Sequence, residues 1–192
     1  MHALAGCCVP APGPRSALGL DSLVVLRLAT WNVNSLKARL PRVQEWLREV
    51  QPDVVCMQET KLADAAFPDL ALRELGYDCA HYGEGRWNGV AILSKVGLGD
   101  VRVGWDDDGE DDPQARILWA TCGGVRVASV YVPNGRALDD DHYTYKLRWL
   151  ERLRAALDAH EDAHEDLAVC GDYNIAPDDR DVGNPTAFEG AT

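Results

Sequence analysis

No apolar run in the chain approaches the roughly 20 residues that a membrane-spanning helix needs, which excludes a helical membrane protein. A secretory leader is not the expectation for the first two dozen residues either. "LAGC" at 4–7 resembles a lipoprotein cleavage box, but neither a basic start nor an apolar stretch of about seven residues precedes it. Residues 1–23 are therefore expected to be a flexible extension, or the product of a start codon placed too early. Basic charge is scarce: 19 Lys and Arg against 31 Asp and Glu leave a net charge of −12. That balance excludes a general polyanion-binding surface and leaves any contact with nucleic acid to a local field. Cysteine is neither dense nor patterned. The six cysteines match no zinc spacing, and Cys56, Cys122 and Cys170 sit inside apolar strand-like runs. They read as reduced thiols of a cytoplasmic protein.

What is present suits one globular domain: 192 residues, 46% hydrophobic and 26% charged, enough for a substantial core. Much of the acid is gathered in "DDDGEDDP" at 106–113, which reads as a solvated loop, since a calcium loop needs longer and more regular ligand spacing.

Leu23 to Trp31 alternates and predicts a strand leading into "NVNS". In "RLPRVQEWLREVQP", Pro41 suits a first helical turn, and Leu40, Val43, Leu47 and Val50 form one stripe. "PDVVCMQETK" predicts a buried strand ending on Glu59, and a short helix over Leu70 to Leu75 stops at Gly76. "NGVAILSKV" reads as a strand. "QARILWATC" and "VRVASVYVPNG" flank Gly123-Gly124, a two-residue hairpin signal. A long helix follows with Tyr143, Leu147, Leu150, Leu153 and Leu157 on one face, and the last strand ends in "GDYNIAP". Helices and hairpins interleaved with strands favour a layered α/β domain with mixed sheets.

Four strand-like runs end in polar residues that do not suit a core: Asn32 and Asn34, Glu59, Tyr131 with Asn134, and Asp172 with Asn174. Strand ends of an α/β sheet converge on one rim, where ligands commonly sit. Glu59 and Asp172 are hard oxygen donors with no histidine or thiolate beside them, a choice that suits magnesium, with manganese as the alternative. Asn32, Asn134, Asn174 and the Tyr131 hydroxyl are neutral donors able to hold phosphate oxygens without adding like charge. That inventory suits phosphodiester cleavage. A cap or turn is the competing account of each residue taken singly.

"TWNVNSLKAR", "PDVVCMQETK", "NGVAILSK", "YVPNG" and "GDYNIAP" stand in the order and rough spacing of the exodeoxyribonuclease III type of apurinic/apyrimidinic endonuclease. The chain resembles that family, within the wider endonuclease/exonuclease/phosphatase fold, from about Arg27 onward. The resemblance implies a four-layer α/β/β/α sandwich of two mixed sheets. It implies a magnesium-dependent repair nuclease that acts as a monomer on double-stranded DNA, cutting beside lost bases and degrading from 3′ ends. By the same resemblance Glu59 and Asn32 would serve the metal, and Tyr131 and Asn134 would contact the scissile phosphate. Asp172 would orient or deprotonate the attacking water, with Asn174 in support. Lys61 would reach toward the DNA backbone and Asn34 would assist in substrate binding. A phosphatase or phosphodiesterase of the same fold, acting on lipid or inositol phosphate, is the alternative.

One departure stands out. The family carries a further strand-rich third, with another metal-linked aspartate and an Asp-His pair, whereas this chain stops at "AFEGAT". His2, His81, His142, His160 and His164 include no such pair. The resemblance therefore implies a C-terminally incomplete sandwich over residues 24–192. A missing acid–base partner typically lowers rate by about 10²–10⁴, so an impaired or non-catalytic remnant is the expectation for the chain alone. "HEDAH" at 160–164 fits the HExxH zinc-protease pattern, yet it arises from a tetrapeptide written twice and reads as a charged helix end.

Overall fold

The computed structural model describes residues 25–105, 107, 109, 112–162, 166–184 and 186. The expected N-terminal extension, His164 of "HEDAH" and Asp106, Asp108, Glu110 and Asp111 of the acidic run lie outside the described residues.

Among the described residues, eight strands and three α-helices follow one another as β1 (Leu28–Asn32), α1 (Leu36–Val50), β2 (Val54–Gln58), α2 (Asp69–Arg73), β3 (Asp78–Tyr82), β4 (Val90–Ser94), β5 (Gly99–Val103), β6 (Ile117–Cys122), β7 (Val125–Tyr131), α3 (Asp141–Asp162) and β8 (Leu167–Asp172). They build two four-stranded sheets, ordered β1-β2-β4-β3 and β5-β6-β7-β8. Each sheet is mixed: β1 with β2 and β7 with β8 run parallel, and the other pairs are antiparallel.

The period-2 alternation of the strands sorts the layers. Val54, Cys56, Val90 and Ile92 of the first sheet meet Leu118, Ala120, Cys122 and Val127 of the second in an inner core. Their alternates Val55, Met57, Ala91 and Leu93 receive Val43 and Leu47 of α1 and Leu72 of α2. On the far side, Ile117, Trp119, Ala128 and Val130 receive Trp149 and Leu153 of α3. The result is the expected α/β/β/α sandwich. Each fully buried Val or Leu contributes about 1.5–3 kcal/mol, so three such cores account for the order of the layers.

Several local expectations are corrected. Helix α1 begins at Leu36, so Pro41 lies inside it and not in the first turn. Proline there removes one interior hydrogen bond, which the flanking buried residues Leu36, Val43 and Leu47 outweigh. Val50 ends the helix exposed and does not join the stripe. On α3 the buried face runs through Lys146, Trp149 and Leu153, while Leu147 is exposed. Leu150, Leu153 and Leu157 of the expected stripe do pack against the second sheet, but Trp149 joins this face while Leu147 leaves it. The strand expected from Leu23 is described only from Leu28, and β3 and β5 were not anticipated. The β6–β7 hairpin forms as expected, with Gly123 at φ 58° and Gly124 at φ 87°, the doubly positive pair that a type I′ turn requires.

Candidate active site

All eight residues proposed from sequence meet at one end of the sandwich, where the parallel pair of each sheet finishes. Parity explains the convergence. Asn32 ends β1 beside Gln58 of β2, and Tyr131 ends β7 beside Asp172 of β8. Asp172 shares the inner face of β8 with Cys170, two residues back, which packs into the core between the sheets.

Asn32 is the hub. Its Nδ2 donates to Glu59 Oε1 and to Asp172 Oδ2, both at 2.7 Å, so one amide bridges acids that are 113 positions apart in sequence. The Tyr131 hydroxyl donates to Glu59 as well. Lys61 Nζ lies 2.8 Å from Glu59 Oε2 and donates to Asn34 Oδ1 at 2.6 Å. The Asn34 amide in turn donates to Asn32 Oδ1 at 3.0 Å. On the other flank the Asn174 amide donates to Asp172 Oδ1 at 2.9 Å, and Asn134 Nδ2 donates to Asn174 Oδ1 at 3.4 Å. A single connected network therefore contains every candidate. Lys61 and Asn34 hold one another within it, so in this state the lysine is an internal partner of Glu59 and not a free surface cation.

The network also answers what "GDYN" is for. The Asn174-to-Asp172 contact is an Asx-type turn, so the turn and the site are the same object. Gly171 has a separate reason. A Cβ there would stand 2.0 Å from the Val130 carbonyl oxygen, so only glycine lets β8 approach β7 this closely.

The backbone is strained around these side chains. Asn34 (φ 41°), Ser35 (φ 83°), Glu59 (φ 53°), Lys61 (φ 51°) and Asn174 (φ 48°) all occupy the left-handed region without being glycine. Each such residue costs about 1–2 kcal/mol. Cross-loop backbone bonds hold them: Ser35 N to Glu59 O at 2.7 Å, Leu36 N to Thr60 O at 3.0 Å and Lys61 N to Asn88 O at 3.0 Å. Strain retained in this way is typical of sites where side chains must be aimed.

Charge states follow from the surroundings. Burial works against ionising Glu59, but the hydrogen bonds from Asn32, Lys61 and Tyr131 and the charge of Lys61 outweigh it. The carboxyl is held below its usual range. Burial, and then the neighbouring Glu59 carboxylate, push the Tyr131 phenol up to about 12, so it keeps its proton as a donor at neutral pH. Among the described residues no three His, Cys, Asp or Glu side chains converge. The two carboxylates joined through Asn32 suit magnesium, which takes one or two acids and keeps water in the rest of its shell. The donor set fits that ion, which Glu59 and the free lone pair of Asn32 Oδ1 could hold.

Four supporting features escaped the sequence reading. Gln58, 1% exposed, donates to Ser129 Oγ across the two sheets at 3.2 Å and accepts from Thr30 Oγ1 at 3.3 Å, directly beneath the site. Its inward parity with Val54 and Cys56 was a legible signal. Arg116 is buried beneath Tyr131, with its guanidinium 4.6 Å from the ring and bonded to the Tyr131 carbonyl at 3.1 Å. Lys146 reaches the Asn174 carbonyl at 2.7 Å. Thr60, adjacent to Glu59, is held by His81 at 2.8 Å, and His81 lies 2.8 Å from Asp64. Nothing local in sequence marks these last three. Trp87 is 60% exposed under the Arg86 guanidinium, which removes it from the core. Cys56, Cys79, Cys122 and Cys170 are free thiols, and no helix among the described residues is long and apolar enough to cross a membrane.

The sandwich and the bridged pair of acids at its rim define a class, and comparison with known proteins agrees with it. The model of the endonuclease/exonuclease/phosphatase family matches residues 29–192, and the chain belongs to that family. Among curated relatives it is similar to exodeoxyribonuclease III of Haemophilus influenzae, 32% identical over 163 residues, which are 82% of this chain and 61% of that protein. Among solved structures it is similar to a 3′ phosphatase from Neisseria bound to a product DNA hairpin, at 41% identity and TM-score 0.80. That match covers 85% of this chain and 63% of the other. An AP endonuclease from Archaeoglobus fulgidus matches at 40% identity and TM-score 0.80, over 87% of this chain and 64% of the other. The chain thus spans somewhat under two thirds of the length of each of these proteins.

Proposed function

We propose that the chain is a magnesium-dependent nuclease of the exodeoxyribonuclease III type, acting on double-stranded DNA at abasic sites and at 3′ ends. The observation that carries the reading is the Asn32 amide joining Glu59 to Asp172 at 2.7 Å on each side, with Tyr131, Asn134 and Asn174 around them. The DNA hairpin bound by the similar Neisseria 3′ phosphatase, and the names of the relatives, support DNA as the substrate. The same reading makes the protein a cytoplasmic monomer that works with reduced thiols.

Glu59 and Asn32 would hold the ion, which supplies positive charge against the phosphate and polarises it. The chain's own groups do the remaining work. Asp172 is an acceptor at the rim and takes or aligns the proton of the attacking water. The Tyr131 hydroxyl, protonated throughout the neutral range, turns its one O–H from Glu59 to a phosphate oxygen when substrate arrives, and the Asn134 and Asn174 amides donate beside it. These donors stabilise the charge that builds on the equatorial oxygens. Lys61 neutralises Glu59 until substrate arrives and can then turn toward the DNA backbone.

The test is incision of a duplex bearing one abasic site, in magnesium and in excess chelator. It is run on the 192-residue chain and on a chimera that adds the remaining length of the Haemophilus relative. The chimera is expected to cut, and the shorter chain to cut about 10²–10⁴-fold more slowly. Glu59→Gln and Asp172→Asn are each expected to abolish the chimera's activity. Full activity in either variant overturns the assigned roles. Turnover of inositol phosphates, with none of abasic DNA, overturns the substrate.

A further inference from the structure

Only two charged side chains among the described residues are buried, Arg116 at 7% and Lys146 at 4% exposure. Both are cations, in a chain with 31 acids and 19 bases, and both stand behind the candidate site. Arg116 has a ring and a carbonyl to satisfy it. Lys146 has less. It rises from the inner face of α3, one turn before Trp149, and its ammonium donates to a single carbonyl, that of Asn174, at 2.7 Å. No carboxylate lies within salt-bridge distance of it among the described residues.

A buried ammonium without an ion-pair partner costs several kcal/mol relative to an apolar side chain of similar length. Methionine would fill the same space against Trp149 and cost nothing of that kind. Stability therefore does not explain the residue, and its neighbours point to a reason. Asn174 must hold a left-handed backbone (φ 48°) to turn its Nδ2 to the Val132 carbonyl at 2.8 Å and its Oδ1 to Asn134. Its own carbonyl is fixed by Lys146. The charge also faces Asp172 from behind, at a range where the two still interact. In a low-dielectric wall, a fixed positive charge attracts an anion in the adjoining cleft without touching it.

The geometry points to Lys146 as a positioning residue: seated behind the 171–177 loop, it locks Asn174 into its aimed conformation and supplies the buried positive charge that draws a phosphate group to Asp172 and Asn174. This rests on the proposed phosphodiester chemistry for the ligand and goes beyond it for the residue. Because the lysine is only 4% exposed and stands behind the loop, it should release no counterion when DNA binds.

Salt dependence separates this role from that of a surface lysine. Binding of a duplex carrying a tetrahydrofuran abasic analogue is followed by anisotropy in chelator, across 50 to 200 mM salt (about the range over which phosphate contacts are exchanged). Lys146→Met is expected to weaken binding about tenfold at every salt concentration. The log–log slope should stay that of the parent chain, whereas loss of a direct phosphate contact lowers it by about one. Lys146→Arg, which keeps the charge, should bind within about threefold of the parent. The nitrogen-15 resonance of the Asn174 side chain should move in Lys146→Met while that of Asn88 stays. Parent-like affinity in Lys146→Met, a slope lowered by one, or equal loss in Lys146→Arg each overturns the proposal. Should Lys146→Met not fold, Lys146→Arg and Lys146→Gln carry the same comparison. Failure of the parent chain to prefer DNA would instead count against the proposed substrate. In that case the Asn174 resonance, moved in Lys146→Met and kept in Lys146→Arg, and weak binding of inorganic phosphate, lost in the first and kept in the second, still decide the role of the lysine.

Discussion

Asn32→Asp is the sharpest probe of the site, because it changes one side-chain atom and reverses the sign of an interaction. In the parent chain Nδ2 donates to two carboxylates at 2.7 Å. A charge-assisted hydrogen bond contributes about 1.5–3 kcal/mol when buried, and the half-exposed setting of this rim halves that figure. Losing both bonds should therefore cost about 2 kcal/mol. The substitution also sets a third carboxylate between Glu59 and Asp172. Repulsion at hydrogen-bond range is worth about 4 kcal/mol at an effective dielectric of 20. Proton uptake relieves most of it, so the net loss should be about 3 kcal/mol at pH 7.5. Like-charge crowding raises the folded-state pKa of the cluster above its unfolded value. The variant therefore takes up protons on folding, and its deficit must shrink as pH falls toward 5. Urea unfolding at pH 7.5 and pH 5, with and without 10 mM magnesium (amounts of about this order span carboxylate titration and saturation of a weak site), measures all of this. Magnesium should recover more stability in Asn32→Asp than in the parent, since three acids hold the ion better than two. An Asn32→Asp chain as stable as its parent at pH 7.5, or a deficit that grows on acidification, refutes the bridged-acid account.

Three other outcomes are expected. Gly171→Ala places a methyl group 2.0 Å from the Val130 carbonyl oxygen and should lower stability by about 3 kcal/mol or more, displacing Asp172 and abolishing incision by the chimera; an unshifted thermal midpoint refutes the close-approach argument. Gln58→Leu keeps volume but removes the bond to Ser129 across the two sheets and the bond from Thr30 within the first sheet, for a loss of about 2 kcal/mol in urea unfolding. Burial holds the His81 imidazole below its ordinary range against the pull of Asp64. The unfolded chain then binds the extra proton first, so stability should fall as pH drops below about 6.5. His81→Gln should flatten that part of the thermal-midpoint profile between pH 5 and 7, and an unchanged slope assigns it to other groups.

The local signals carried far. The strands β2, β6, β7 and β8 were legible as apolar runs, and the glycine pair at 123–124 marked its turn, because both depend on neighbours in sequence. The polar strand ends were legible for the same reason: a residue that breaks an apolar run betrays itself without knowledge of the fold. β5 left no such trace. All five of its residues are exposed, so burial imposed no pattern on them. The face of α3 was legible at Leu150, Leu153 and Leu157 but not at its edges, because whether Leu147 or Trp149 is buried depends on the sheet the helix meets.

The sequence by itself determined which polar residues would stand at the strand ends, since side-chain chemistry and strand parity are properties of short segments. Only the tertiary structure decided that a single amide would join Glu59 to Asp172, and that Lys61 would turn inward to Asn34. It also decided that a lysine on α3 would stand behind Asn174. Those contacts join segments 27 to 140 positions apart. They form only once two sheets and a helix have been stacked by burial of their apolar faces, a nonlocal free-energy balance that no window along the chain contains.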